Sequence, residues 1–166
     1  MKKTISIIIP AYNEENSLKQ FIWELLYFID AHLSRYLFEI IIINDGSKDG
    51  TWDSILSLHQ KDERVAWYSF SRNFGKEIAL SAWLELAKGD AIITIDADGQ
   101  HPLEKLSIFI ERREAWYDVV YNKRPFQQWA SRFKRISSHL FYSFFNTLSE
   151  FKLEPWTTDY RLLSRD

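Results

Sequence analysis

Short apolar runs rich in β-branched residues recur at Thr4–Pro10, Phe38–Ile43, Val65–Phe70, Ala91–Ile95 and Val119–Tyr121, each nearly continuous. Runs of this length predict buried parallel strands, because a strand covered on both faces needs apolar side chains at almost every position. Between them the period lengthens to that of a helix. Leu18, Phe21, Ile22, Leu25, Ile29 and Leu33 fall on one face, with Lys19 and Glu24 off it, which predicts an amphipathic helix. Further helices are predicted over Thr51–Gln60, over Lys76–Lys88 with Gly89 as the stop, and from Pro102, suited to a first helical turn, to about Glu114. The resulting βαβαβαβαβ order predicts an α/β fold in which a parallel central sheet carries helices on both faces.

In such sheets ligands bind outside the carboxyl ends of the strands. The polar clusters of this chain fall there: Ala11-Tyr12-Asn13-Glu14-Glu15, Asn44-Asp45-Gly46-Ser47, Ser71-Arg72-Asn73-Phe74-Gly75-Lys76 and Asp96-Ala97-Asp98-Gly99-Gln100 follow the first four strands in turn. All four are expected along one edge. With 166 residues and neither repeats nor a Pro-rich linker, the chain predicts a single domain spanning 1–166.

Composition narrows the chemistry. There is no cysteine, so disulfides and thiolate metal sites are excluded, and any metal ion must take oxygen or imidazole ligands. The net charge of -2 hides an uneven distribution. From Val119 to Ser149 there is no Asp or Glu, while Lys123, Arg124, Arg132, Lys134 and Arg135 are basic. That segment predicts an anionic partner. The slightly acidic total and the lack of a recognition motif argue against nucleic acid. The first ten residues read as a strand and not as a signal peptide. No stretch is long and apolar enough to span a membrane.

The sharpest chemical signal is Asp96-Ala97-Asp98 directly after Ile92-Ile93-Thr94-Ile95. Two carboxylates so close at a strand end call for a cation. Oxygen ligands suit a divalent ion that also binds phosphates, with Gln100 as a further neutral oxygen. An isolated Asp-x-Asp is also an ordinary turn. Phosphohydrolases with a nucleophilic Asp place such a pair on an early strand with Thr or Val two residues beyond it, whereas here it follows the fourth strand and Gln100 holds that position.

Ile7-Ile8-Ile9-Pro10-Ala11-Tyr12-Asn13-Glu14, Asn44-Asp45-Gly46-Ser47, Arg72-Asn73-Phe74-Gly75-Lys76, Asp96-Ala97-Asp98-Gly99-Gln100-His101-Pro102 and Thr158-Asp159-Tyr160-Arg161-Leu162-Leu163 together resemble family 2 glycosyltransferases, in that order and over nearly the whole chain. Within the family the chain is most similar to the polyprenol-phosphate sugar transferases, such as dolichol-phosphate mannose synthase and bactoprenol glucosyltransferases. The resemblance implies a GT-A type, Rossmann-like sandwich. It also implies inverting transfer from a nucleotide diphosphate-sugar to a polyprenyl phosphate, with Mn2+ or Mg2+ as cofactor.

By that resemblance Pro10, Tyr12, Glu14 and Asp45 hold the base and ribose, with Ala97 beside them, and Arg72 and Lys76 lie near the diphosphate. Asp96, Asp98 and Gln100 bind the metal, and Asp98 with Asp159 is catalytic, Asp159 matching the family's base. Read from the residues alone, pairing with nearby Arg161 is the lesser alternative for Asp159, and a solvated helix start explains Lys76 almost as well. A phosphate monoester acceptor is already largely dianionic near neutral pH, so Asp159 would mainly orient it, whereas a sugar hydroxyl would need a true general base.

Apolar and aromatic residues from Phe126 to Leu148, including Trp129, Phe133, Phe141 and Phe144, recur three or four apart behind a basic start. This predicts an amphipathic helix fit either for a membrane interface or for packing on the sheet. The resemblance assigns Arg124, Arg132, Lys134 and Ser138 to the acceptor phosphate. It further implies work at the cytoplasmic face of a membrane, anchoring helices beyond Asp166, and homo-oligomers formed through them. Two other readings stay open: transfer to a glycan hydroxyl by the same fold, and a non-catalytic module that binds nucleotide or membrane.

Overall fold

The computed structural model describes residues 2–76, 78–79, 86–123 and 157–165. The chain divides into two compact units, residues 1–120 with 159–166, and residues 121–158. The described part of the second consists of strand ends only. The expected helix of 126–148, with Arg124, Arg132, Lys134 and Ser138, lies outside the described residues.

The strands are β1 (Thr4–Ala11), β2 (Leu37–Asn44), β3 (Val65–Ser69), β4 (Ala91–Thr94), β5 (Val119–Lys123) and β6 (Thr157–Ser164). The helices described over their whole length are α1 (Leu18–His32), α2 (Thr51–Lys61) and α3 (Lys105–Glu114). The sheet order is β3-β2-β1-β4-β6-β5. β1 pairs in parallel with β2 and β4, and β2 with β3.

The isoleucine runs are explained by burial on both sides. Ile5, Ile7 and Ile9 point into the larger core, which they share with Leu18, Ile22 and Leu25 of α1, Ile55 and Leu58 of α2, and Leu106 and Phe109 of α3. Ile8 points the other way, onto Ile41, Ile43, Ile92, Ala79 and Ala87. Both faces are therefore covered, but unevenly: α1, α2 and α3 share one core, and the 76–88 segment supplies Ala79 and Ala87 to the other. In that segment Lys76, Ile78, Ala79 and Leu86 are helical, while Ala87 and Lys88 are not. The departing backbone is caught by side chains, with Lys88 N–H donating to Glu39 Oε2 at 3.2 Å and Gly89 N–H to Ser6 Oγ at 2.9 Å.

The structure corrects the expected element order at its end. β6, absent from that order, runs antiparallel to β4, pairing Thr94 with Arg161 and Ile92 with Leu163. It alternates where the others do not: Tyr160 and Leu162 are buried, and Asp159 and Arg161 are half-buried. The last helix also starts later than Pro102. Residues 102–104 form a turn whose carbonyls receive the first helical amides, Lys105 N–H to Pro102 O at 3.3 Å and Leu106 N–H to Leu103 O at 2.9 Å.

Tyr160 locks β6 into the larger core. Its ring meets Phe109 and His101 at centroid distances of 4.7 and 4.9 Å, and its hydroxyl donates to Pro102 O at 3.3 Å. Burial, with Glu104 nearby, pushes the phenol well above its ordinary pKa, so it stays a neutral donor. In urea unfolding, Tyr160→Phe is expected to cost about 1 kcal/mol and Tyr160→Ala about 3–5 kcal/mol. An alanine variant no weaker than the phenylalanine one would contradict the anchoring role.

Candidate active site

Strands β1, β2 and β3 are laid down in one direction across the sheet, and β4 then falls on the opposite side of β1. The strand order therefore reverses between β1 and β4, where the crossovers on either side diverge and leave a crevice at the carboxyl ends. A cleft of about 280 Å3 opens there. Pro10, Ala11, Tyr12 and Glu14 line it from the loop after β1, Asp45 from the end of β2, and Asn73, Gly75 and Lys76 from the loop after β3. Asp96, Ala97 and Asp98 line it from the end of β4.

The loops around the cleft are laced together by short polar side chains. Asn13 N–H donates to Ser47 Oγ at 3.1 Å, Lys48 N–H to Asn13 Oδ1 at 2.9 Å, Glu14 N–H to Thr51 Oγ1 at 2.7 Å, and Gly50 N–H to Glu15 Oε2 at 2.7 Å. Asn13 adopts a positive φ of 56°, which asparagine tolerates better than most residues. Gly46 lies at φ +65°, and a Cβ there would come within 2.4 Å of the Arg72 carbonyl carbon, so only glycine lets these two backbones touch.

Asp45 does something the sequence did not suggest. Its Oδ1 accepts from Phe74 N–H at 2.8 Å and its Oδ2 from Gly75 N–H at 3.0 Å, and the residue is buried. Both oxygens thus hold the loop after β3, which carries Lys76.

Lys76 is the centre of charge in the cleft. Its Nζ lies 2.5 Å from Asp96 Oδ1 and 2.8 Å from Asp159 Oδ2, joining the end of β4 to β6. Burial alone would lower the lysine pKa, but the hydrogen bonds to Asp159 and Asp96 outweigh it and the net shift is upward. The ammonium is therefore charged. His101 Nε2 lies 3.4 Å from Asp96 Oδ2, and its ring is buried against Tyr160. The Asp159 backbone is tied down as well, its carbonyl accepting from Thr94 Oγ1. Asp159 pairs with Lys76 and not with Arg161, whose buried Nε has no hydrogen-bond partner.

Asp98 is exposed, and its Oδ1 accepts from Gln100 N–H at 3.0 Å. Gln100 thus enters through its backbone, and it is not among the residues lining the cleft. Among the described residues no three His, Asp or Glu side chains converge into a cage of their own. Asp96 and Asp98 still fit a hard divalent ion that takes its remaining ligands from phosphate oxygens, since both line the cleft and Asp96 already holds a cation in the form of Lys76. Arg72 does not line this cleft. Its guanidinium stacks over Phe74 at 4.8 Å, and it lines a neighbouring cavity of about 540 Å3 that shares Tyr12 and Asn73 with the cleft.

The sequence model of glycosyl transferase family 2 matches residues 6–162. The chain belongs to glycosyl transferase family 2. A prophage bactoprenol glucosyl transferase homolog of Escherichia coli K12 is 43% identical over 162 residues, covering 98% of this chain and 52% of the relative. The chain spans about half the length of the curated relatives it matches. Among solved structures, mannosyl-3-phosphoglycerate synthase from Rubrobacter xylanophilus superposes with a TM-score of 0.70 at 20% identity, over 98% of this chain and 53% of that one. A mannosyltransferase from Pyrobaculum calidifontis, in complex with GDP-Man and Mn2+, gives 0.62 at 21% identity over 75% and 37%. The glycosyl transferase family 2 chain thus has the GT-A fold, with a mostly parallel sheet between helical layers.

His101, Asn73, Gly75 and Thr94 were not singled out from sequence. His101 belongs to the Asp96–Pro102 motif, but only the fold brings it against Asp96. The Asp45 clamp gives a direct expectation. Asp45→Asn turns an NH2 group toward one of the two loop amides, losing a part-buried hydrogen bond at a cost of about 1 kcal/mol. Hydrogen exchange at Phe74 and Gly75 should accelerate while β1 and β2 stay protected. Unchanged exchange at both amides would remove the clamp.

Proposed function

We propose that this chain is the catalytic part of an enzyme that transfers a sugar from a nucleoside diphosphate-sugar to a polyprenyl phosphate, with inversion at the anomeric carbon, at the cytoplasmic face of a membrane. The observation that carries the reading is the convergence of Pro10, Tyr12, Glu14, Asp45, Lys76, Asp96, Ala97 and Asp98 on one cleft, to which Lys76 ties Asp159. The bactoprenol glucosyl transferase relative supports the acceptor.

In this reading Tyr12, 41% exposed, offers a ring face to the base beside Pro10 and Ala97. Glu14 accepts from ribose or base donors, and Asp45 acts through the loop it holds. Asp96 and Asp98 hold a manganese or magnesium ion, which supplies positive charge to the departing diphosphate. Lys76 and Arg72 add positive charge near the phosphates. Asp159 orients the acceptor, and Arg124, Arg132, Lys134 and Ser138 receive its phosphate. The aromatic and basic stretch of 126–148 meets the anionic membrane surface.

Thermal unfolding with UDP and GDP, each with and without Mn2+, tests the donor site. A nucleotide at about 100 times its Kd stabilises the folded state by about 2.7 kcal/mol. One nucleotide with Mn2+ should raise the Tm, and Asp98→Ala should abolish the shift. No shift with either, in folded protein, overturns the reading.

Asp159→Asn tests the acceptor. A phosphate monoester with its second pKa near 6 needs little proton removal, so kcat with polyprenyl phosphate should fall by about tenfold or less, below the ~10²–10⁴ that a general base contributes. A loss of that larger size would favour a hydroxyl acceptor.

A further inference from the structure

Both carboxylate oxygens of Asp96 are already engaged, Oδ1 by Lys76 Nζ at 2.5 Å and Oδ2 by His101 Nε2 at 3.4 Å. Each oxygen keeps a further lone pair, but a divalent ion seated on Oδ1 would stand beside the Lys76 ammonium, and the two like charges repel unless the lysine gives way. His101 is the less free of the two, being buried in the larger core against Tyr160. Lys76 lines the cleft, and its side chain keeps 36% of its exposure.

The position of Lys76 is also electrostatically unusual. Gly75 O accepts from Ala79 N–H at 3.1 Å, so Lys76 lies in the first turn of a helical segment, where the backbone dipole disfavours positive charge. Asp45 fixes the two amides just before it. The chain holds a cation at an unfavourable helix end because two carboxylates require it there.

We propose that Lys76 is a positioning residue that serves as the resident cation of the nucleotide-free site, and that a divalent ion must displace it from Asp96 to bind. After displacement Lys76 keeps Asp159 as its partner, which couples loading of the donor side to the setting of the acceptor-side carboxylate. A divalent ion alone is a poor competitor, because of the pair Asp96 and Asp98 only Asp98 is open to it without displacing Lys76. An ion arriving with a diphosphate brings further ligands and wins. This rests on the donor-site reading above, and it adds an order: cation and nucleotide load together.

Titration of the protein with Mn2+, read by the electron paramagnetic resonance signal of free Mn2+, tests this without turnover. Without nucleotide, Lys76→Gln should bind Mn2+ about fivefold more tightly than wild type, the scale of a half-exposed ion pair. Lys76→Arg, which keeps the charge, should return the affinity toward wild type. Adding UDP or GDP should tighten Mn2+ binding more in wild type than in Lys76→Gln, since only wild type has a competitor to remove. Equal or weaker Mn2+ binding by Lys76→Gln, with nucleotide binding to wild type intact, overturns the Lys76 proposal and leaves the donor site standing. Failure of wild type to bind either nucleotide, with or without Mn2+, overturns the donor site and this proposal with it.

Discussion

The burial of β1 on both faces is the constraint from which the rest of the molecule follows. Ile7, Ile8 and Ile9 have no exposure, and their side chains feed two separate cores. A strand in that position must be flanked by strands on both sides, here β2 and β4, and covered above and below. Its carboxyl end then becomes the middle of an edge where the strand order reverses. Polar residues at Tyr12 to Glu15 and at Asp96 to Asp98 are admitted because this is where the apolar layers stop.

Carboxylates at the rim of such a core each need an answer, and the molecule gives different ones. Asp45 is buried and answered by two backbone amides, which makes it a structural clamp. Asp96 and Asp159 share the charge of Lys76. Asp98 is exposed, held on one oxygen by a backbone amide. The groups available to a ligand are the ones whose partners can be exchanged. A lysine can leave a carboxylate at the cost of a partly screened ion pair, whereas the Phe74 and Gly75 amides can leave Asp45 only if the loop moves.

β6 is the link between the packing and the chemistry. Its alternation sends Tyr160 and Leu162 into the larger core, while Asp159 on the opposite side reaches Lys76. One strand thus carries an anchor and the carboxylate that pairs with Lys76, so the position of Asp159 against Asp96 is set by the register of Arg161 on Thr94.

Much of this was legible in the residues. The strands β1 to β5, the faces of α1, α2 and α3, and the gathering of polar clusters at one edge all follow from local periodicity, which a linear sequence records directly. Four of the motifs meet at the cleft as expected because they sit at strand ends, and Asp159 reaches it through Lys76. What the residues did not reveal is pairing over distance. Placing β6 beside β4 joins residues about 65 positions apart, as the Thr94 hydroxyl bonding the Asp159 carbonyl illustrates. Periodicity carries no record of which strand accepts which neighbour. The same holds for Lys76, which reads as an ordinary basic residue at a helix start until the fold brings Asp96 and Asp159 to either side of it. For Asp45, the motif fixed its neighbourhood, but only the path of the loop after β3, which brings the Phe74 and Gly75 amides to it, decided that both oxygens turn inward.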